Sequence, residues 1–137
     1  PEEVLNDWHL AASQANEEKY FSYFYSDSSI FMGTDQTERW TAIEFRKWSS
    51  PFFERGSAWD FKPYARSLRY NPEKTVCWFE EEIDTDHLGP LRGTGVLLKS
   101  DNVWKIDQYI LSIAVPNQLV NNLVTQIDSL KTLSDEN

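Results

Sequence analysis

Between Leu91 and Pro116 the chain makes two runs in which apolar residues alternate with others. A short polar break at Ser100-Asp101-Asn102 separates them, and Val115-Pro116-Asn117 ends the second. Alternation with a period of two belongs to strands that bury one face. Two such runs across so short a break align into an antiparallel hairpin. A further strand, Thr75–Asp84, precedes them across a turn at Asp86–Pro90. Fixing the hairpin register decides which polar side chains face inward, and those few groups carry whatever chemistry is available.

Upstream the period is helical. Val4/Leu5, Trp8, Ala11/Ala12 and Ala15 recur at the spacing of one helix face. Asn16 before Glu17-Glu18 predicts a second helix with an N-cap and acid in its first turn, burying Tyr20, Phe21 and Phe24. Asp27-Ser28-Ser29 ends it, and Ile30–Gly33 reads as a brief strand. Thr41-Ala42-Ile43-Glu44 is a capping box, with Trp40 and Phe45 placed as the hydrophobic staple. The helix it starts should be distorted or ended by Pro51 and stopped by Gly56. Trp59–Tyr70 follows as a strand whose Pro63 predicts an edge position or a bulge, and Asn71-Pro72-Glu73-Lys74 is a turn. Beyond Pro116, Asn117 caps an amphipathic helix marked by Leu119/Val120, Leu123, Ile127 and Leu130. Helices, then a strand meander, then one helix make an α+β domain with an antiparallel sheet.

The 137 residues fit one domain, and six Trp, six Tyr and eight Phe give it ample surface to bury. A net charge of −9 argues against nucleic acid or anionic membrane as partners, because phosphate binding needs clustered Lys and Arg. Cys77 is the single cysteine, which excludes an intrachain disulfide and a Cys-based zinc site. His9 and His87 are far apart in sequence and make no metal site. No apolar run reaches the length of a membrane span, and no basic-then-apolar signal segment opens the chain. A soluble, cytoplasmic protein without cofactor or metal is the expectation.

With Ser100-Asp101-Asn102 as a three-residue loop, Lys99 faces Val103, Leu98 faces Trp104, Val96 faces Ile106, Thr94 faces Gln108 and Arg92 faces Ile110. These pairs would form the buried face. The preceding strand turns Cys77, Phe79, Glu81 and Ile83 to that face. A polar row Glu81–Thr94–Gln108 then crosses an apolar concave surface, and Glu81 either pairs with Arg92 or Arg39 or borders a pocket. The same register puts Leu97, Tyr109, Leu111 and Ile113 on the outer face, as a homodimer interface.

On these residues the chain resembles the NTF2-like superfamily, and within it the SnoaL-like proteins. The likeness is carried by Gly33-Thr34-Asp35, Glu38-Arg39-Trp40, and Pro51-Phe52-Phe53-Glu54-Arg55-Gly56. It continues through Val76-Cys77-Trp78-Phe79-Glu80-Glu81, Arg92-Gly93-Thr94-Gly95-Val96-Leu97 and Trp104-Lys105-Ile106 up to Ser112. The order and spacing of these segments carry it, over roughly Val4 to Asn117. The resemblance implies a cone-shaped NTF2-like (cystatin-like) fold, a curved antiparallel sheet wrapped around N-terminal helices and dimeric through its outer face. It places the domain at residues 1–117 and an additional C-terminal amphipathic helix and tail at 118–137. Members include isomerases, dehydratases and polyketide cyclases, in which a pocket Asp or His moves a proton, as well as binding modules. The inward position near the end of the last strand, often His in relatives, holds Ile110 here.

Two functions follow as expectations. In the first, a small apolar or aromatic molecule lies against Trp8, Phe24, Trp40 and Trp48 and is oriented by Glu81, Arg92, Thr94 and Gln108. In the second, Glu81 is the general base of a cofactor-independent isomerase, lyase or cyclase, with Gln108 or Tyr20 as hydrogen-bond donor. The absence of an inward His favours binding. Plainer roles weigh against several candidates: an ion pair for Glu81, a loop-fixing salt bridge for Asp35 and Arg39, core positions for the aromatic residues and Cys77, and a helix-surface position for His9.

Overall fold

The computed structural model describes residues 1–56 and 58–136. Helix α1 (Glu2–Ser13) presents Leu5, Trp8, His9, Ala11 and Ala12 to the interior. Helix α2 (Glu17–Ser22) starts where Asn16 accepts a hydrogen bond from the Lys19 amide at 3.2 Å, and it ends earlier than expected. The next two residues run on to the sheet, where Tyr25 N–H donates to the Ile106 carbonyl at 2.7 Å.

Strands β1 (Ile30–Met32) and β2 (Arg39–Thr41) form a small hairpin, of which β2 is too short to show an alternation. Helix α3 (Ala42–Glu54) carries the capping box, with both the Thr41 and Glu44 halves formed. The staple is also present, Trp40 stacking on Phe45 at 5.2 Å. Pro51 does not end this helix. Its position close to the C-terminal end leaves a single missing N–H, and the chain runs on to Glu54, with Gly56 turning out at φ +69°.

The remaining strands are β3 (Lys62–Tyr70), β4 (Val76–Thr85), β5 (Gly89–Ser100) and β6 (Val103–Ile113). They join one six-stranded sheet in the order β2-β1-β6-β5-β4-β3. Neighbours are antiparallel except β1 and β6, which run parallel. Strand β3 lies at the edge and has a register shift between Pro63 and Ala65, as a proline in a strand demands. The sheet curves around the helices, its inner face packing on α1 through Trp8 against Tyr109 (ring centres 4.7 Å apart). The chain thus has the α+β, curved-sheet architecture expected, with a further helix α4 (Val120–Glu136) behind a 3₁₀ turn. Asn117 is the first residue of that turn, with Pro116 in the N-cap position, and the apolar stripe of α4, including Leu123, Ile127 and Leu130, is exposed. Among the described residues no helix is long and apolar enough to cross a membrane.

The hairpin register differs from the one expected, for two reasons. Asp101 and Asn102 both adopt left-handed backbone (φ 53° and 61°), so the loop has two residues and Ser100 pairs with Val103. Further along, Leu97 pairs with Ile106 but Val96 pairs with Gln108, leaving Asp107 as a bulge on β6. The inner face of β5 is therefore Leu91, Gly93, Gly95 and Leu97, and that of β6 is Ile106 followed by Tyr109 and Leu111. Arg92, Thr94 and Gln108 fall on the convex side. Leu97, Tyr109 and Leu111, expected outside, are buried in the core, and Ile113 is the one residue of that set left exposed.

Candidate functional site

Alternation along β4 turns Cys77, Phe79, Glu81 and Ile83 inward, and all four are buried. Glu81 is fully enclosed, a position that a carboxylate tolerates only with partners. It has four. Arg66, directly opposite on β3, donates from Nε and Nη2 to Oε2 at 3.0 and 2.8 Å. Tyr109 Oη donates to Oε1 at 2.8 Å, and His9 Nε2 lies 2.7 Å from the same oxygen. Arg66 Nη1 continues into α1, donating to Glu2 Oε1 at 3.0 Å and to Asn6 Oδ1 at 2.8 Å. One buried carboxylate thus ties β3, β4, β6 and α1 together.

Burial alone pushes the Glu81 carboxyl up, but the hydrogen bond and charge of His9, with the Arg66 guanidinium, outweigh it and hold the group below its ordinary value. Burial and the Glu81 charge push the Tyr109 phenol well up, so it stays a donor. An ionised carboxylate only accepts, so His9 Nε2 must carry the hydrogen of their bond. His9 Nδ1 then makes no hydrogen bond among the described residues. Four hydrogen bonds fall on the two oxygens of Glu81, so it is not a free carboxylate in this structure. His9 is not a helix-surface residue either; it is 5% exposed. Its spacing from Leu5 and Ala12 puts it on their stripe of α1, the one sequence signal that could have found it.

Tyr109 is the other group that the sequence reading misplaced, and its signal lay on β5. A Cβ on Gly93 would stand 2.0 Å from Tyr109 Oη, and one on Gly95 would stand 2.2 Å from the Gln108 carbonyl oxygen and 2.9 Å from the Phe79 ring. The two glycines leave room for inward aromatic rings, which only an inward β5 face of odd-numbered residues allows.

Two clefts open beside this core. The first, about 230 Å³, lies between α1 and the start of β3; His9, Asn6 and Ser13 line it on one side, Asp60, Phe61 and Lys62 on the other. The second, about 200 Å³, is walled by Phe31, Trp40, Phe45, Trp48, Trp59 and Phe61. Its rings are stacked: Trp40 on Trp48 at 4.7 Å, and Phe31 on Phe45 at 4.0 Å. Its polar groups are Thr34 and Glu38. Phe61 borders both clefts.

Of the expected ligand residues, Trp40 and Trp48 meet in the second cleft, where Trp48 is 47% exposed. Trp8 and Phe24 belong to the core instead, Trp8 stacked on Tyr20 at 5.0 Å. Among the described residues neither Trp8 Nε1 nor Tyr20 Oη, both buried there, makes a hydrogen bond of good geometry, and burial pushes the Tyr20 phenol well up, a weak polar contact with the Trp59 side chain opposing it. Arg92 pairs on the convex face with Glu82 at 2.9 Å rather than with Glu81. Thr94 pairs with Ile110, and Gln108 with Val96. The polar row Glu81–Thr94–Gln108 is therefore absent, because the two-residue loop and the bulge turn its last two members outward. Asp35 accepts from the Thr37 amide and hydroxyl at 2.8 and 2.7 Å, not from Arg39. Among the described residues no three His, Cys, Asp or Glu side chains gather to hold a metal.

Residues 2–116 match the family model of the SnoaL-like domain. No curated protein matches the sequence. Among solved structures, the chain is similar to an NTF2-like protein of unknown function from Pseudomonas putida (TM-score 0.65, 8% identity, covering 81% of this chain and 82% of that one). It is similar to a protein of unknown function with a cystatin-like fold from Nostoc punctiforme (0.66, 11%, 84% and 88%). A candidate scytalone dehydratase from Novosphingobium aromaticivorans is similar as well (0.66, 11%, 83% and 81%). At these identities the likeness is one of fold.

Proposed function

Because the chain belongs to the SnoaL-like domain family, we propose that it works as a small-molecule-binding domain whose occupant lies in the cleft of Trp40, Trp48 and Trp59. The observation that carries this reading is an open wall of stacked rings with few polar groups, the composition of a ligand site. At about 200 Å³ it is smaller than the pockets that take drug-sized molecules, so the occupant is small or only partly enclosed. The capping box fixes α3 and with it the Trp40–Trp48 pair, so little ordering remains for the ligand to impose. Native mass spectrometry of the purified chain, with indole N–H spectra recorded against a panel of small aromatic alcohols, aliphatic alcohols and alkylammonium ions, tests the reading. Shifts confined to Trp40, Trp48 and Trp59 support it. A panel that leaves all three unmoved overturns it.

A second reading rests on His9. Its Nε2 is oriented by Glu81 and its ring borders the first cleft, the arrangement of a base held by a carboxylate. In a cofactor-independent isomerase or lyase, the mobile proton would then belong to His9, and Glu81 would position it. Turnover of small ketones that disappears in His9→Gln would support this reading, and no turnover by the unmodified chain counts against it.

The convex face also invites a second copy of the chain. Two cross-strand rows, Trp78–Val96–Gln108–Ile30 and Glu80–Thr94–Ile110–Met32, carry apolar side chains across β4, β5, β6 and β1. Trp78 is 39% exposed there. A homodimer through this face would use these residues in place of the buried Leu97, Tyr109 and Leu111.

A further inference from the structure

The polar lining of the aromatic cleft has a sign. Glu38 is its one charged residue, and no Lys, Arg or His among the described residues lines it. The carboxylate is half-buried and tethered through one of its oxygens. The Glu38 backbone closes the β1–β2 loop through Gly33 N–H to Glu38 O at 2.9 Å, and Glu38 Oε1 accepts from the Asp35 amide at 3.0 Å. The side chain lies flat on Gly33, whose absent Cβ would stand 3.0 Å from Glu38 Cδ and Oε2. Oε2 has no hydrogen-bond or ion-pair partner among the described residues.

From this juxtaposition we propose that the cleft takes a small organic cation, an ammonium group carried on a compact apolar body. The proposal rests on the binding reading above and names its ligand class. A neutral occupant would displace water from Glu38 and give nothing back, and an anionic one would be repelled. An alkylated ammonium meets the negative faces of Trp40, Trp48 and Trp59 as well as the carboxylate. The net charge of −9 adds long-range attraction for the same sign of ligand.

The test compares choline with its uncharged carbon isostere 3,3-dimethylbutan-1-ol, and both with benzyl alcohol, by titration followed at the indole N–H resonances. Choline should shift the resonances of Trp40, Trp48 and Trp59 and bind roughly tenfold or more tightly than the isostere, an advantage that shrinks as salt is raised. Glu38→Gln keeps an oxygen for the Asp35 amide and removes only the charge, so it should abolish that advantage. Equal binding of choline and its isostere overturns the cation proposal and leaves the binding reading standing, as does binding of benzyl alcohol alone. An unchanged preference for choline in Glu38→Gln also overturns it. If no probe moves the three indoles, both readings fall.

Discussion

The fully buried Glu81 forms a two-bond ion pair with Arg66, whose side chain is 6% exposed. Breaking such a pair from one side leaves a buried charge uncompensated, so Arg66→Ala should cost about 3–5 kcal/mol in urea unfolding. The pH response has a definite sign. The folded-state carboxyl lies below its ordinary value of 4.5, so its contribution is present above that value and is lost as the pH falls through the lower folded one. In Glu81→Gln this acid limb should flatten, and stability at neutral pH should fall because Arg66 loses its counter-charge. Two tyrosines give opposite expectations for the same chemical change. Tyr109→Phe removes a hydrogen bond to the carboxylate and should cost about 1.5–3 kcal/mol. Tyr20→Phe removes a buried hydroxyl that, among the described residues, has only the Trp59 side chain nearby and no hydrogen bond of good geometry, and should raise stability by about 1 kcal/mol, read as a higher urea midpoint.

At the scale of elements, β5 depends on its glycines. Gly93→Ala would drive a methyl into Tyr109 Oη, and the ring must leave both its pocket and Glu81. A loss of about 3 kcal/mol or more is expected, with a blue-shifted dye fluorescence reporting loosened packing in thermal melts. The same strand shows why some of the fold could be read from the sequence and some could not. The capping box, the Trp40–Phe45 staple, the edge position of Pro63 and the inward turn of Glu81 are local, set by residues a few positions apart. They appear as read. The face of β5 and the outer half of β6 depends on where the chain turns and where a bulge falls. Asp101-Asn102 is a less explicit two-residue turn than Asn-Gly, and nothing in Ile106-Asp107-Gln108 marks a bulge. A slip of one residue then moves Thr94 and Gln108 out of the site and Tyr109 into it. The place of His9 on the buried stripe of α1 is legible from its spacing, but its partner Glu81 lies 72 positions away and is not. The aromatic cleft is half legible: Trp40 and Trp48 read as ligand residues, whereas Trp59 and Phe61 read as the start of a strand that in fact begins only at Lys62.

For the whole molecule, the sheet divides a core sealed by rings from a convex face that is only partly polar. A homodimer through that face predicts a mass of twice the monomer in light scattering, and Ile110→Glu should return it to the monomer without lowering the melting temperature by more than a few degrees. A monomeric unmodified chain at micromolar concentration would remove the dimer reading. The clefts lie on the other side of the sheet and should keep their ligand response in that variant. Asp107, the extra residue in β6, has a consequence for how such a chain can change over time. Deleting it would leave Ile106, Gln108 and Tyr109 in strict alternation, so both ends of the strand would keep their inward side chains and Tyr109 would stay on Glu81. A residue lost between Tyr109 and Leu111 has no such slack and would turn one of the two outward. The bulge is therefore the one point in this stretch where the strand can shorten without changing face.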